Sequence, residues 1–497
     1  RPPARPALKP KRLATRVVRD VFTGDVSLDS CAGTLPCVWL VPHIFSVLGF
    51  LLAVFLLSRI LREHRPPAST MAWLLSIVLV PYVGVPLYFL IGGRKHRRLA
   101  ARKNQLYSSG LAADELESMR SLNSIERILL TGGAPRTSSG DRVELWSTGE
   151  ETFRRILALF DSAKTSIDVS TFILGGDGTG LAVLARLAER ASEGIQVRLL
   201  LDGLFGFRVK RRDLVTLTRA GGKVAVFMPL LRLPFRGPAN LRNHRKIIVV
   251  DGEVAVVGGM NLADEYMGEL PRTDRWQDVS LLIEGPAVAH IHNVFRSDWS
   301  FASGDPATPA SYPLHKRVGD ATLQVVASGP DVAGDTYYDA ILTALFQARE
   351  RIWIATPYFI PDEAITRGLV LAARRGVDVM LMVPQRSNHL TADIAGGSYL
   401  RQIERAGARV RPFLPGMMHA KVTLIDNDMA ILGSANLDMR SLFLDYEIAV
   451  FIYTRPEIER FQAWFELRLR QCAEKLQEPG TTRALAEDLG RLLAPLM

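Results

Sequence analysis

Two histidines of this sequence, His244 and His419, stand in two copies of one short pattern. The stretch "HRKIIVVDGEVAVVGGMN" begins at His244, and "HAKVTLIDNDMAILGSAN" begins at His419. The positions that recur at identical spacings are His244 and His419, Lys246 and Lys421, Asp251 and Asp426, Gly258 and Gly433, and Asn261 and Asn436. A single His-x-Lys pair is typical of a solvated strand edge, but two unrelated edges would have no reason to share all these spacings.

If the fold brings the copies together, they supply two imidazoles, two ammonium groups and two amides to one site. Such a site is electropositive and suits a phosphodiester, because fixed donors stabilise the charge that develops in the transition state. One neutral imidazole would attack phosphorus, and the other, protonated, would donate to the leaving oxygen. An unperturbed imidazole has a pKa of about 6.5, so both forms are accessible near neutral pH.

A nucleophilic imidazole also needs an acceptor for its second nitrogen. "WQDVSLLIE" supplies Asp278 after the first copy, and "DYEIAVFIY" supplies Glu447 after the second, each at the start of an alternating strand. We expect these carboxylates to orient the histidines; the alternative is that they merely open the strands. Asp251 and Asp426 lie at the bends of the two hairpins, where aspartate is a natural turn residue, so a structural role is favoured over proton transfer.

No metal-binding pattern accompanies the two histidines. At ligand spacing each has a lysine, whose ammonium repels a cation. The cysteines, Cys31, Cys37 and Cys472, form no zinc pattern and are too few for a disulfide framework. We therefore expect chemistry without a metal ion or cofactor.

The elements that must position the two motifs also repeat. The first series runs through the helix "EETFRRILALFDSAKT", the strand "SIDVSTFIL", a second helix and the strand "VRLLLDG" to the His244 hairpin, and the same order returns from Asp335 to the His419 hairpin. This duplication predicts an α/β fold of two pseudo-symmetric repeats packed together, residues 141–318 and 319–497, with a sheet in each half. Before His244 the first repeat has an extra stretch, "LLRLPFRGPANLRN", which is either a substrate-contacting loop or a surface insertion.

The first hundred residues favour a membrane over nucleic acid as the anionic partner of this chain, which has 497 residues and a net charge of +10. Met71 to Ile91 contains no charged residue and is long enough to cross a bilayer, for which ~20 residues suffice. A weaker apolar run covers Val38 to Leu57. We expect two transmembrane or membrane-embedded helices within residues 38–93, between a basic extension (1–37) and a basic linker (94–140); buried core helices are the alternative.

Lysine and arginine are abundant on both flanks of this apolar region. Two crossings place both flanks on one side of the membrane, and the positive-inside rule makes that side the cytoplasm. We therefore expect the catalytic part to face the cytoplasm. A hairpin that dips into the bilayer from the cytoplasmic face is the competing arrangement.

The duplicated H-x-K-x4-D-x6-G-[GS]-x-N pattern resembles the signature of the phospholipase D superfamily. Further stretches, among them "IEGPAVAHIHNVFRSDW", "IATPYFIPD" and "HAKVTLIDNDMAILGSANLDMRS", resemble bacterial cardiolipin synthases. The resemblance extends from about residue 66 to the C-terminus. It implies a multi-pass enzyme of the inner (cytoplasmic) membrane that transfers a phosphatidyl group from one phosphatidylglycerol to another. Glycerol is released, the intermediate is a phosphohistidine, and no nucleotide is needed.

The resemblance also implies roles for individual residues. The catalytic motif residues are His244, Lys246, Asp251, His419, Lys421 and Asp426, and the phosphate ligands are Asn261, Asn436 and Ser434. By family likeness His244 is the nucleophile and His419 the acid, an assignment that the sequence itself leaves open. Two departures bear on head-group selectivity: Gly259 stands where the second copy has Ser434, and Asp445 stands where the family often has asparagine.

Four other functions remain possible on sequence grounds. A phospholipase D-type hydrolase would pass the phosphatidyl group to water, and another phosphatidyltransferase would use a different acceptor alcohol. A nuclease shares the chemistry but has no use for two apolar segments, and a catalytically silent membrane scaffold has no need of both histidines. The donor, the acceptor and the oligomeric state are not determined by the sequence.

Overall fold

The structure is a computed structural model. It describes residues 47, 51, 54–56, 58, 67–91, 103–107, 122–204, 208–229, 241–306 and 316–493. The predicted basic extension, most of the first apolar run, Cys31, Cys37 and most of the extra stretch before His244 lie outside these residues. The chain divides into two compact units, residues 1–85 and 86–497.

The apolar segment from Met71 to Ile91 is interrupted. Helix α1 spans Pro67–Leu79 and helix α2 spans Pro81–Ile91. Pro81 lacks an amide hydrogen and disfavours helical backbone at Val80, which accounts for the interruption. In the described part of the chain no helix is both long and apolar enough to cross a membrane, so the expected spanning helices are not confirmed.

The larger unit is a mixed α/β fold of two repeats, as the duplication predicted. The first repeat contains α3 (Ser124–Thr131), β1 (Ser138–Trp146), α4 (Gly149–Ser162), β2 (Ser166–Thr171), α5 (Gly178–Ser192), β3 (Gln196–Asp202), α6 (Arg211–Arg219), β4 (Lys223–Phe227), β5 (Ile247–Val250), β6 (Val254–Gly258), β7 (Ser280–Glu284) and α7 (Ala287–Ser303).

The second repeat follows the same order with small additions. It contains β8 (Ala321–Ser328), α8 (Thr336–Gln347), β9 (Arg351–Ala355), β10 (Phe359–Ile360), α9 (Glu363–Arg374), β11 (Asp378–Pro384), α10 (Leu390–Arg405), β12 (Arg409–Phe413), β13 (Val422–Ile425), β14 (Met429–Gly433), β15 (Leu437–Asp438), α11 (Met439–Phe443), β16 (Glu447–Ile452), α12 (Arg455–Leu469) and α13 (Thr481–Leu493).

The two repeats share one sheet of fourteen strands, in the order β12-β11-β9-β13-β14-β16-β8-β1-β7-β6-β5-β2-β3-β4. Read outwards from the centre, the two halves have the same strand order, as a pseudo-twofold relation requires. The expectation of a sheet in each half is therefore corrected: antiparallel pairing of β1 with β8 joins them. This junction is short, and its register shifts between Ser139 and Asp141.

Local sequence explains the elements around the motifs. Asp177 caps α5 by accepting the Gly180 amide, and Asp362 caps α9 by accepting the Ile365 amide. Strand β5, "IIVV", is buried on both faces, with Val249 in one hydrophobic cluster and Ile248 in another. Continuous apolar runs of this kind are typical of strands covered on both sides.

The motif histidines and lysines lie in extended segments that end where the strands begin, rather than on the strands. Strand β5 runs antiparallel to β2, so its first residue, Ile247, pairs with Ser170 near the carboxyl end of β2. In the second repeat Val422 of β13 pairs with Ala355 at the end of β9. Each motif therefore lies at the edge of the sheet where the parallel strands end, the usual place for a site in an α/β fold.

Candidate active site

Backbone hydrogen bonds attach each motif histidine to the other repeat. The His244 amide donates to the Tyr446 carbonyl at 2.9 Å, and the His419 amide donates to the Gln277 carbonyl at 2.7 Å. Because Tyr446 precedes Glu447 and Gln277 precedes Asp278, each histidine lies beside a carboxylate from the opposite repeat. The sequence proposed both carboxylates, and the structure adds that they are exchanged between the repeats.

His244 is held by Glu447. Its Nδ1 lies 3.0 Å from Glu447 Oε1 and 3.1 Å from the Ser434 carbonyl oxygen. Burial lowers the pKa of His244 to about 4, despite the opposing effect of the Glu447 charge. Burial acts to raise the pKa of Glu447, but His244, Lys246 and Ser434 together hold it below its ordinary value. The imidazole is therefore neutral with its proton on Nδ1, so the lone pair is on Nε2.

His419 has different surroundings. Its Nδ1 lies 2.6 Å from Asp278 Oδ2, and Lys421 Nζ lies 2.7 Å from the same nitrogen. Burial raises the pKa of Asp278 to about 7 and lowers that of Lys421 to about 8, and burial together with Lys421 places the pKa of His419 well below its ordinary value. One nitrogen cannot donate to a carboxylate and accept from an ammonium at once, so the two contacts require different proton positions. The pKa values of Asp278 and Lys421, about 7 and 8, make proton exchange among the three groups accessible near neutral pH.

The two lysines join the halves of the site electrostatically. Lys246 Nζ donates to the His244 carbonyl at 2.7 Å, and burial lowers the pKa of Lys246 to about 7. Lys421 contributes to the lowered pKa of His244, and Lys246 contributes to that of His419. Each lysine therefore affects the histidine of the other motif, as expected if both motifs serve one site.

The proposed phosphate ligands fall into two groups. Among the described residues, the Asn261 Nδ2 donor is buried without a hydrogen-bond partner, which suits a side chain that binds a phosphate oxygen. The unpartnered atom of Asn436 is its Oδ1, an acceptor, so only its amide nitrogen could serve a phosphate. The Asn261 amide is fixed through its oxygen, which accepts from the Ile173 amide at 3.1 Å. Ser434, in contrast, is fully buried and donates its hydroxyl to Glu447 Oε2, so it supports the carboxylate rather than facing a phosphate.

Gly259 and Ser434 differ because their carboxylate partners differ. A Cβ atom at Gly259 would lie 2.3 Å from Asp278 Oδ1, so any side chain there would displace the Asp278 carboxylate. In the second copy the serine hydroxyl is a hydrogen-bond donor to Glu447. The difference between Gly259 and Ser434, noted in the sequence, therefore reflects how each histidine-orienting carboxylate is accommodated.

Asp251 and Asp426 are remote from the histidines within each motif, at the opposite end of a four-residue strand, about 13 Å long. Both adopt positive φ, 55° and 49°. Asp251 accepts the amides of residues 164–166 at 2.7–2.9 Å, and Asp426 accepts those of residues 349–351 at 2.8–3.1 Å. Their contacts fix the starts of β2 and β9, in agreement with the structural role that the hairpin position favoured.

Three aromatic side chains at the site were not identified from the sequence. The Phe172 ring meets the His244 ring edge-on, with centroids 4.7 Å apart, and Tyr266 and Trp276 lie 5.0 and 5.2 Å from the His419 ring. Trp276 stands two residues before Asp278, a spacing that could have indicated it. Within the described chain no group of three or more histidine, cysteine, aspartate or glutamate side chains is arranged to hold a metal ion.

Comparison with known proteins matches this chain to one family. The family model described as "Cardiolipin synthase, PLD-like domain" matches residues 156–299 and 341–469, and the phospholipase D-nuclease N-terminal model matches residues 51–93. Cardiolipin synthase 1 of Bacillus anthracis is 34% identical over 462 residues, covering 88% of this chain and 90% of that protein. Cardiolipin synthase of Halalkalibacterium halodurans is 32% identical over 474 residues, covering 91% and 94%.

A solved structure supports the fold independently. The crystal structure of phosphatidylserine synthase from Haemophilus influenzae Rd KW20 superposes with a TM-score of 0.57, covering 76% of this chain and all of that chain. The two sequences are only 16% identical, so the likeness concerns the fold alone.

Proposed function

The chain belongs to the cardiolipin synthase family with phospholipase D-like domains and is a phosphatidyltransferase, and from this premise we propose that it joins two phosphatidylglycerol molecules into cardiolipin and glycerol. The observation that carries the proposal is the exchange of carboxylates between the repeats. His244 pairs with Glu447 and His419 with Asp278, so each histidine is held against the other repeat, which supports the action of both imidazoles on one phosphodiester.

In the first step His244 Nε2 attacks the phosphorus of one phosphatidylglycerol. The new N–P bond forms as the P–O bond to glycerol breaks, and the cluster of His419, Lys421 and Asp278 delivers one proton to the leaving oxygen. The difference between the two surroundings supports this assignment. The lowered pKa values keep both rings neutral, but their partners differ. His244 has a single anionic partner, Glu447, whereas His419 lies beside Asp278 and Lys421, whose pKa values of about 7 and 8 suit proton exchange.

In the second step a hydroxyl of another phosphatidylglycerol attacks the phosphohistidine. The deprotonated cluster at His419 takes the hydroxyl proton, the new P–O bond forms, and the N–P bond to His244 breaks. One proton given in the first step is recovered in the second, so the enzyme returns to its initial state. The lysines and the side-chain amides of Asn261 and Asn436 would stabilise the phosphoryl oxygens in both steps.

The proposed location is the cytoplasmic membrane, with the catalytic part facing the cytoplasm. Large apolar side chains of α1 and α2 are exposed, including Val78, Leu79 and Tyr82. Exposed apolar surface of this kind supports contact with lipid. The proposed domain order is the N-terminal extension, the apolar segment, the linker and the two repeats.

The test is to incubate the purified full chain in detergent with phosphatidylglycerol labelled in its glycerol head group, without added metal. Cardiolipin and free glycerol in equal amounts are the expected products. Phosphatidic acid without cardiolipin would instead identify a hydrolase, and product that requires an added acceptor alcohol would identify a different transferase. Lys316→Met, a change at an exposed site, is a control for general effects of substitution.

A further inference from the structure

A second cluster of charges lies directly behind His244 and takes no part in the steps described above. Lys103 Nζ lies 2.5 Å from Asp298 Oδ1 and also contacts Asp331 Oδ2. The side chains of all three residues are at most 1% exposed. Asp298 belongs to α7 of the first repeat, and Asp331 follows β8 of the second. Lys103 comes from the stretch that the sequence indicated only as a linker.

Arg245 completes this cluster and ties it to the catalytic segment. It stands between His244 and Lys246, and its guanidinium binds Asp298 at 2.7 Å and Asp331 at 3.0 Å. Its Nε donates to the Glu447 carbonyl at 3.0 Å. Two cations and two carboxylates thus balance in a fully buried site, which is the condition under which buried ions are tolerated.

The cluster holds both members of the His244–Glu447 pair. On the histidine side, Asn243 Nδ2 donates to Asp298 at 3.0 Å, and the Arg245 amide donates to Asn243 Oδ1 at 3.0 Å. On the glutamate side, Arg245 holds the Glu447 carbonyl, and Lys103 and Arg245 both lie over the Tyr446 ring, at 5.1 and 5.4 Å.

In the part of the second repeat that the structure describes, no equivalent arrangement lies at its own motif. At the place of Arg245 this repeat has Ala420, between His419 and Lys421. The additional support is therefore specific to the histidine to which the proposed mechanism assigns the N–P bond. An attacking nitrogen needs tighter positioning than a group that exchanges protons through several neighbours.

We propose, on the basis of the proposed function, that Lys103 is a positioning residue for His244: it neutralises the second buried carboxylate, so that Arg245 stays bound to both aspartates and keeps His244 and Glu447 aligned. Burial acts to raise the pKa of Asp331, but Arg245 and Lys103 hold it below its ordinary value. Without Lys103 the two carboxylates share one guanidinium, and the segment that carries His244 loses its fixed position.

The experiment compares four full-chain variants by kcat and KM for cardiolipin formation. Lys103→Met should lower kcat about tenfold or more, since small misplacements near a reacting atom have effects of this size, while KM stays within about twofold. Lys103→Met/Asp331→Asn restores the charge balance and should recover most of the lost kcat. Two variants are controls. Tyr107→Phe removes the hydroxyl that accepts the Ala327 amide at 2.8 Å, so it loosens the segment that carries Lys103 without changing its charge, and kcat should stay near wild type. Lys316→Met controls for loss of a lysine at an exposed position.

The proposal would be overturned by a folded Lys103→Met protein with wild-type kcat, or by a double variant as slow as the single one. It would also be overturned if Tyr107→Phe lost as much kcat as Lys103→Met, because docking of the segment would then explain both. If Lys103→Met does not fold, the double variant alone decides: near-normal kcat supports charge balance, and a tenfold loss contradicts it. Failure of the proposed function is a separate result, because the wild-type protein would then form no cardiolipin.

Discussion

At the scale of single residues, the site depends on two imidazoles of the same type in unlike surroundings. His244 faces one anionic carboxylate, whereas His419 shares Nδ1 with a carboxyl group and an ammonium whose pKa values lie near neutrality. Environments that separate the roles of two like groups are a general means of assigning acid and nucleophile. This difference leads to two predictions.

The first prediction uses a leaving group that needs no proton. With a phosphatidyl ester of p-nitrophenol, His419→Ala should still release a burst of p-nitrophenol, although its turnover of phosphatidylglycerol falls about 10²- to 10⁴-fold. His244→Ala should fail with both substrates, because it lacks the nucleophile. Stopped-flow absorbance measures the burst. A burst from His244→Ala and none from His419→Ala would reverse the assignment.

The second prediction concerns pH. Protonation of His244, with a pKa of about 4, removes its lone pair, so kcat/KM falls only in strong acid. Lys246 and Lys421, with pKa values of about 7 and 8, lose their charge as pH rises, so kcat/KM begins to fall near pH 7 and falls more steeply above about pH 8. We expect a broad maximum between these limits in a profile measured from pH 4.5 to 9. A steady rise through pH 8 would be incompatible with charged lysines at the phosphate.

Because the duplication fixes their spacing, the sequence proposed both histidines, both lysines, both asparagines and the two orienting carboxylates. The structure places Glu447 beside His244 and Asp278 beside His419, as expected, and the catalytic roles stay predictions. The sequence could not indicate that Ser434 binds Glu447 or that Gly259 makes room for Asp278, because both facts depend on contacts between distant segments. Arg245 was missed for the same reason: its partners lie 53 and 86 residues away in the chain.

At the scale of helices and strands, the motif aspartates Asp251 and Asp426 stabilise the fold rather than take part in the reaction. Each carboxylate accepts three successive amides at the start of a strand and thereby fixes a hairpin bend against β2 or β9. The strand start and the histidine are then connected through a rigid hairpin. The motif aspartates lie far from the phosphate, but they therefore help to keep the motif histidines in position.

The third prediction follows from these contacts. Asp426→Ala should lower the free energy of unfolding by about 1–3 kcal/mol, because amides buried at the start of β9 lose their acceptor. The folded variant should keep kcat within about threefold, since the carboxylate lies away from phosphorus. Urea titration and steady-state kinetics measure the two quantities. Asp428→Ala, at an exposed position of the same bend, is the control, and a large loss of kcat with normal stability would instead support a catalytic role.

The order of helices and strands in the repeats was predicted correctly, because amphipathic and alternating patterns are strong in both. Two features at this scale were not predicted. The joining of the two halves through β1 and β8 depends on a pairing of only a few residues, which leaves no distinct pattern. The interruption between α1 and α2 was indicated by Pro81, but the uncharged run as a whole favoured one continuous segment.

At the scale of the whole molecule, the duplication is the basis of the site. Neither motif histidine is paired with a carboxylate of its own repeat, because each imidazole is oriented by the carboxylate of the other repeat. The pseudo-twofold strand order makes this exchange reciprocal. Small differences between the copies, such as Arg245 against Ala420, then allow the two histidines to take different roles.

The most direct test of this account is to trap the covalent intermediate. The His419→Ala protein is mixed with the p-nitrophenyl phosphatidyl ester labelled at phosphorus, quenched in alkali and digested, and the labelled peptide is sequenced by mass spectrometry. We predict a phosphatidyl group on the peptide that contains His244, and none when His244→Ala is added. Label on the peptide with residue 419 in the wild-type protein, or no labelled peptide during active turnover, would contradict the account.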